Sequence, residues 1–228
     1  MDFTELEKRL GATFTKPELL EEAMTHRSFL NERPSWPRPH NERLEFLGDA
    51  VLELVVTQYL YVHYPNNEGE LTSFRAALVN ADTLGETSRE LGVNDFLLLS
   101  KGEAKDVGRG RQEILGNAFE ALVGALYLDG GYNKAEEFIM RVLIPKIDGI
   151  ISRGLHRDPK SRFQEEAQAR VGTTPSYRVL REWGPDHEKQ FVAGVFLNEE
   201  KVAEGQGFSK QEAEVQAAQK ALEEKGWK

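Results

Sequence analysis

Three carboxylates, Glu42, Glu45 and Asp49, stand close together in an otherwise apolar stretch of the chain. On a helix, at about 100° per residue, their side chains fall within an arc of roughly 60°. Acidic side chains are seldom built into a core-forming helix without a partner, and neither Glu45 nor Asp49 has a lysine or arginine four residues later. Oxygen ligands without histidine or cysteine favour Mg²⁺ or Mn²⁺ over zinc. The spacing predicts one half of a divalent-cation site, with a solvated acidic edge as the alternative.

A later apolar stretch carries Asn117 and Glu120, which lie three residues apart and therefore share one face of a helix. Ala121 and Gly124 stand beside them, and such small residues would let the two helices approach closely. A di-iron carboxylate bundle would need two Glu-x-x-His pairs, and neither stretch has one. Two Mg²⁺ ions held by carboxylates suit in-line displacement at a phosphate, so we expect phosphoryl chemistry where the two stretches meet.

Helices must position these side chains, because residues 1–150 show apolar residues at helical spacing and no convincing alternation of period two. The three prolines of 33–39 predict a loop, and the glycine-rich, charged segment 101–112 predicts a mobile loop. We therefore predict that 1–150 form an all-α domain. The predicted helical stretches are 3–10, 16–25, 41–64, 70–91, 113–128 and 133–144.

The sequence pattern changes after residue 150. A short polar segment, 151–157, is predicted to be a linker. Residues 158–228 follow an α-β-β-β-α order, with Ser209 as the expected N-cap of the closing helix. The fold class predicted for the whole chain is an all-α domain followed by a small α+β domain. The predicted elements of the second domain are a helix at 161–170, strands at 176–183, 190–197 and 201–207, and a helix at 210–225.

The composition of the 228 residues is that of a globular protein, with 39% hydrophobic and 29% charged residues. The absence of cysteine excludes disulfides and thiolate metal sites. No stretch is long and apolar enough to cross a membrane and the acidic start is no secretory signal, so we expect a cytoplasmic protein. The net charge of −9 argues against nucleic-acid binding, but this argument weakens where carboxylates are gathered to hold a cation.

Three segments, 40–52, 25–28 and 114–129, together resemble the endonuclease domain of the bacterial ribonuclease III family. The resemblance implies a Mg²⁺-dependent homodimer that cuts double-stranded RNA, with Mn²⁺ as a possible substitute and no organic cofactor. The implied products carry a 5′-phosphate, a 3′-hydroxyl and short 3′ overhangs, and the implied role is RNA processing that includes ribosomal RNA precursors. Phe46 matches an aromatic residue that inserts into the partner subunit at the dimer interface.

The same resemblance gives roles to individual acidic residues. It implies metal binding by Glu45, Asp49 and Glu120, and assistance to metal or water binding by Glu42 and Glu68. These residues favour a nuclease over a non-cleaving double-stranded RNA-binding protein of the same fold, which stays the alternative. A chain released from catalysis would have no reason to keep all five.

Asn117 departs from the family pattern, which has an aspartate at this catalytic, metal-binding position. Asparagine keeps one carbonyl oxygen as a ligand but loses a negative charge, and its NH₂ group faces a cation badly. We therefore expect weakened metal binding and strongly reduced turnover in this chain. The replacement is compatible both with natural divergence and with a deliberate change made to trap substrate.

The second domain resembles a double-stranded RNA-binding domain through Pro175-x-Tyr177, Gly184-Pro185-x-His187, Phe191 and Ser209-Lys210. Such domains recognise the A-form shape of the duplex through 2′-hydroxyl and phosphate contacts. The resemblance implies that Gln164 and Glu165 contact one minor groove, that His187 contacts the next, and that Lys210 meets the intervening phosphates.

Charge limits how the second domain would bind RNA. Residues 158–228 contain 11 lysines and arginines and 13 aspartates and glutamates, a net charge of −2. We expect few phosphate contacts and a shallow salt dependence, and a protein-interaction domain of this fold is the alternative. In the first domain, Arg109 and Arg111 are candidates for a phosphate-facing loop, with a solvated loop as the alternative.

Overall fold

The protein is described by a computed structural model that covers residues 2–105, 107–154, 156–185 and 189–227. The chain divides into two compact units, Met1–His156 and Arg157–Lys228. The first unit is mostly helical, and the second combines two helices with a three-stranded antiparallel sheet. The predicted fold class is confirmed.

The first unit is built around two long helices, α4 (Glu42–His63) and α7 (Arg109–Val142), that pack along one another. Leu52 and Val56 of α4 and Phe119 and Leu122 of α7 are fully buried in this core. Helix α7 is interrupted at Gly131, whose φ of 76° is left-handed. The helices of this unit are α1 (Thr4–Leu10), α2 (Pro17–Ala23), α3 (Arg27–Glu32), α4 (Glu42–His63), α5 (Glu68–Leu78), α6 (Ala81–Glu90), α7 (Arg109–Val142) and α8 (Ile147–Ser152).

The single helical stretch predicted at 70–91 is wrong, because the structure has two helices there, α5 and α6. Asn80 separates them: its backbone is extended, and its side-chain oxygen accepts a hydrogen bond from the Thr83 amide at 2.9 Å. This is an N-cap, which begins a new helix. Helix α3, which the sequence analysis did not predict, begins after His26, whose ring caps the Ser28 amide.

The predicted loop at 101–112 is also wrong at its end, because α7 already begins at Arg109. Gln112 fixes this first turn against α6. Its Nε2 donates to the Asp82 carbonyl at 2.8 Å, and its Oε1 accepts from Arg89 at 2.5 Å. Because these contacts join residues distant in sequence, local composition gave no sign of them. A short 3₁₀ turn occupies Glu103–Lys105.

The second unit consists of α9 (Pro159–Val171), β1 (Ser176–Trp183), β2 (Gln190–Leu197), β3 (Glu200–Gly207) and α10 (Lys210–Lys225). The strands are antiparallel in the order β1-β2-β3, with Tyr177 opposite Val195 and Val195 opposite Ala203. Phe163 of α9 packs with Val195 and with the alanines of α10 in the core. Ser209 is the N-cap of α10, as predicted, and accepts a hydrogen bond from the Glu212 amide at 3.1 Å.

Candidate active site

Two glycines allow α4 and α7 to touch backbone to backbone. A Cβ atom at Gly48 would lie 1.7 Å from the carbonyl oxygen of Glu120, and one at Gly124 would lie 2.3 Å from that of Leu44. No larger residue fits either position without moving a helix. The contact brings the turn that carries Glu45 and Asp49 against the turn that carries Glu120.

The electrostatics reflect the gathering of these carboxylates. Burial, followed by the charges of Asp49 and Glu45, raises the pKa of Glu120 to about 7. Burial also raises the pKa of Glu45, assisted by the neighbouring Glu42 and Asp49. Each shift arises because negative charge is gathered where water is partly excluded. The cluster formed by Glu42, Glu45, Asp49 and Glu120 therefore needs a cation or a proton.

Asn117 lies one turn before Glu120 on α7 and is exposed. With Glu45 and Glu42, it lines a cavity of about 370 Å³ at the side of the carboxylate cluster. The Arg27 guanidinium lies 3.5 Å from Glu42 on the same cavity wall. The structure therefore brings Asn117 to the carboxylates of α4, as the sequence analysis expected.

The donor chemistry of this cluster fits a hard divalent cation. Glu45, Asp49 and Glu120 offer carboxylate oxygens, and Asn117 offers a carbonyl oxygen. Across the described ranges, no three or more histidine or acidic side chains are already arranged as a ready-made metal cage.

Glu68 is not brought to this cluster. It is the first residue of α5 and lines a different cavity of about 710 Å³ with Tyr61, Tyr64 and Arg75. That cavity lies at the C-terminal end of α4, roughly 27 Å from Glu45 at 1.5 Å per residue along the helix. Within one chain, Glu68 does not reach the carboxylate cluster, because α4 separates the two positions, and its role in metal or water binding stays a prediction.

Phe46 projects from α4 with 83% of its surface exposed, next to the acidic face. An aromatic side chain gains nothing from water, so this exposure marks a surface that is suited to a partner. Three further large apolar residues on the same helix are exposed. They are Leu54, Tyr61 and Val62.

The two arginines predicted near the site both lie in the first turn of α7. The Arg109 guanidinium lies 3.3 Å from Glu113. Arg111 is half-buried, and one guanidinium nitrogen has no hydrogen-bond partner among the residues that the structure describes.

The cavity of about 370 Å³ beside the carboxylate cluster has two further walls, whose residues were not among the predicted site residues. His26 and Arg27 line it from the start of α3, and Glu103 and Glu113 line it from the segments around α7. Burial lowers the pKa of His26, with an opposing effect from Glu103. The sequence signal that could have indicated His26 and Arg27 was segment 25–28. This segment carries part of the family resemblance, but its residues were given no role.

The second unit places its predicted RNA-binding residues on two helices. Gln164 and Glu165 are exposed on α9, and Lys210 is exposed as the first residue of α10. His187 lies outside the described residues. Lys189, which was not among the predicted residues, and Lys210 each place an ammonium group near the Phe191 ring, at 5.8 and 6.0 Å from its centre.

Comparisons with known proteins agree with this arrangement. A family model described as ribonuclease-III-like matches residues 16–147, and one described as double-stranded RNA binding motif matches residues 159–225. The protein named Ribonuclease 3 of Bdellovibrio bacteriovorus is 46% identical over 222 residues, which cover 96% of this chain and 94% of the relative. Ribonuclease 3 of Enterococcus faecalis is 45% identical over 221 residues, covering 96% and 95%.

A solved structure is also similar to the first unit. It is the nuclease domain of ribonuclease III from Campylobacter jejuni, described for structural flexibility in a region involved in dimer formation. It is 38% identical with a TM-score of 0.56, and the match covers 63% of this chain and 97% of that domain.

A helical nuclease domain followed by a double-stranded RNA-binding motif defines a class of two-domain RNA-cutting enzymes. The chain belongs to the ribonuclease III family. This membership supports an endoribonuclease activity on double-stranded RNA, in a family that generally depends on divalent metal. In the part of the chain that the structure describes, no helix combines the length and apolar character needed to span a membrane.

Proposed function

We propose that this chain is a Mg²⁺-dependent endoribonuclease that cuts double-stranded RNA and leaves 5′-phosphate and 3′-hydroxyl ends with short 3′ overhangs. Ribosomal RNA precursors are proposed substrates. The observation that carries this proposal is the contact of α4 and α7 at Gly48 and Gly124. It gathers carboxylates from two helices into one partly buried cluster, in which the pKa values of Glu45 and Glu120 are raised.

The proposed mechanism gives each residue of the cluster a role. Glu45, Asp49 and Glu120 would hold Mg²⁺, with the carbonyl oxygen of Asn117 as a weaker ligand. When bound, the ion would lower the pKa of the attacking water and stabilise charge on the scissile phosphate. Glu42, held at 3.5 Å by the Arg27 guanidinium, is placed at the edge of the cavity to accept hydrogen bonds from ordered water. Mn²⁺ is expected to substitute, since it also prefers oxygen ligands.

Asn117 supports a second candidate function, which is the binding of double-stranded RNA with slow cleavage or with none. The side chain occupies the cavity wall beside Glu45, where a carboxylate would add a charged ligand. Replacing that carboxylate by an amide weakens cation binding, since a neutral oxygen attracts a divalent ion less than a charged one.

Single-turnover cleavage of long double-stranded RNA with Mg²⁺ distinguishes the two functions. We expect slow cutting by the unsubstituted chain and at least tenfold faster cutting by Asn117→Asp. Asn80→Asp is the matched control, because it makes the same chemical change at a helix N-cap, where aspartate caps equally well. Measurable and equal rates for the unsubstituted chain and Asn117→Asp would refute the claim of impairment. Absence of cutting by both would favour the binding function.

We further propose a homodimer formed through α4. If two α4 helices cross antiparallel with Leu54 near the two-fold axis, Phe46 of each copy lies at the level of Val62 of the other, because both are eight residues from the centre. The cavity at the end of α4 is then available to receive the aromatic ring. The same symmetry brings Glu68 of one copy towards the acidic end of α4 in the other, where Glu42 lies.

The second unit is proposed to hold the RNA duplex. Its Gln164 and Glu165 would contact one minor groove, and Lys189 and Lys210 would meet phosphates near the N-terminus of α10. His187, outside the described residues, stays a predicted contact to the next minor groove. Few basic residues take part, which is consistent with the net charge of −2 in this region.

A further inference from the structure

His26 is held in one orientation by a chain of hydrogen bonds. The Ser100 amide donates to the Ser28 hydroxyl oxygen at 3.1 Å, and that oxygen lies 2.8 Å from His26 Nδ1. The Ser28 amide also donates to Nδ1, at 3.3 Å. The His26 backbone amide donates to the Leu98 carbonyl at 3.1 Å, so both backbone and ring are fixed.

This network also determines which ring nitrogen carries the hydrogen. A backbone amide has only a hydrogen to give, so Nδ1 of His26 must accept it. The neutral ring then carries its hydrogen on Nε2. Among the described residues, Nε2 makes no hydrogen bond, and the half-buried ring lines the cavity of about 370 Å³ beside the carboxylate cluster.

Most of the other side chains that line this cavity are acceptors or are already paired. Its four glutamates are acceptors when ionised, Arg27 is paired with Glu42, and the Asn41 amide donates to the Ala23 carbonyl at 3.1 Å. The Asn117 amide is exposed, and no hydrogen bond of the described residues fixes its orientation as Ser28 fixes that of His26. An RNA backbone presents mainly acceptor oxygens, on phosphates and at the 2′ positions. Against an acidic wall, a neutral, preoriented donor binds such an oxygen without adding to the positive charge that the cation site supplies.

We propose that His26 is a substrate-binding residue whose Nε2–H donates to an oxygen of the RNA backbone next to the cleavage point. The oxygen belongs either to a 2′-hydroxyl or to a non-bridging phosphate position. Ser28 and Ser100 are positioning residues that fix the donor. The inference rests on the proposed function, because it takes the carboxylate cluster beside the cavity as the place of cleavage.

A binding experiment without divalent metal tests the donor separately from catalysis. The full chain is titrated with an RNA duplex of about 30 base pairs, long enough for a binding domain that spans about 16. We expect His26→Leu to bind five- to tenfold more weakly, as the loss of one hydrogen bond implies. We expect His26→Gln to bind within about twofold of the unsubstituted chain, because its amide NH₂ reaches the region of Nε2. Equal affinity for all three proteins would overturn the proposal.

Single-atom changes in the RNA distinguish the two oxygens. One duplex carries a 2′-deoxy nucleotide, and another carries a methylphosphonate, at each position in turn around the cleavage point. At the position whose oxygen accepts from His26, we expect the modification to weaken binding to the unsubstituted chain about fivefold. The same modification should leave binding to His26→Leu unchanged. If every modification weakened both proteins equally, His26 would have only a structural role and the proposal would fail.

A measurement on the unsubstituted protein covers the case in which His26→Leu does not fold. In ¹⁵N-histidine spectra, we expect an unprotonated Nδ1 and a protonated Nε2 for His26, and a shift of the Nε2–H signal when the duplex is added. An unshifted signal in a chain that binds the duplex would overturn the inference and leave the proposed function standing. A chain that does not bind the duplex at all would overturn both.

Discussion

The carbonyl oxygen of Glu120 occupies the space in which a side chain of residue 48 would begin, 1.7 Å from an ideal Cβ atom on Gly48. The α4 helix therefore meets the backbone of α7 directly, one turn after Glu45 and next to Asp49. Glu120 contributes both the backbone oxygen of this contact and a carboxylate of the cluster. The contact that packs the two helices therefore also sets the geometry of the site.

Gly48→Ala forces α4 and α7 apart, because the neighbouring atom is backbone and cannot rotate away. Overpacking of this kind costs about 1–3 kcal/mol in stability, and we expect RNA cleavage to fall by at least a hundredfold. Urea unfolding and single-turnover cleavage measure the two effects. Gly149→Ala is the matched control, since its new methyl group would meet only the Arg153 side chain at 3.5 Å. Full activity of Gly48→Ala would refute the close contact.

Glu120→Gln is expected to stabilise the metal-free protein at neutral and alkaline pH. Burial chiefly raises the pKa of Glu120 to about 7 from an ordinary value of 4.5, so its ionised form destabilises the fold. The gain in melting temperature should be absent below pH 4.5, grow between pH 4.5 and 7, and stay constant above. Thermal unfolding in EDTA across this range measures it, with the exposed Glu86→Gln as control. A gain that was equal at pH 4 and pH 8 would contradict the assignment.

Asp129→Asn is expected to destabilise the first unit. Asp129 is half-buried, and although burial raises its pKa, hydrogen bonds from Lys134, Thr15 and the Lys16 amide lower it to about 2. A lowered pKa in the folded state gives stability that is complete above the unfolded value of 3.8 and is lost as the pH falls through 2. We expect a loss of about 2 kcal/mol at pH 7 and a smaller loss at pH 3.

Urea unfolding at both pH values measures this loss. The control is Asp95→Asn, which removes an exposed ion pair with Arg9 at 3.1 Å and is expected to change stability by less than about 1 kcal/mol. Equal effects of the two substitutions at pH 7 would show that the buried hydrogen bonds of Asp129 contribute little.

Phe46→Ala is expected to dissociate the proposed dimer without unfolding the chain, because the ring is exposed within one copy. Two aromatic rings are removed per dimer, at roughly 1.5–3 kcal/mol each, so the dissociation constant should rise by at least a hundredfold. Sedimentation equilibrium measures it. Phe208→Ala, which removes an exposed ring from the second unit, serves as control. An unchanged dimer would place the interface elsewhere.

Lys189→Ala and Lys210→Ala should each weaken duplex binding and reduce the salt slope by about one. Binding of the full chain to an RNA duplex is measured between low and moderate salt, with Lys8→Ala in the first unit as control. For the unsubstituted chain, affinity should fall only slowly with salt, because few cations face the phosphates. A slope that implied six or more neutralised phosphates would contradict the limited basic surface.

The sequence by itself determined the local elements and the chemistry available. Helical periodicity gave α4 and the face shared by Glu42, Glu45 and Asp49, and capping chemistry gave the start of α10 at Ser209. These features depend on residues within a few positions of one another, so they can be read from spacing alone. The fold class and the family followed from the same runs of residues.

The tertiary structure decided what depends on contacts between distant segments. The new helix after Asn80 and the first turn of α7 at Gln112 are fixed by side-chain hydrogen bonds that periodicity does not show. The length of α4 removes Glu68 from the cluster within one chain. The orientation of His26 depends on Ser100, 74 positions further along the chain. Spacing gives the face of a helix, but only packing shows which face meets which neighbour, because that choice minimises the free energy of the whole core.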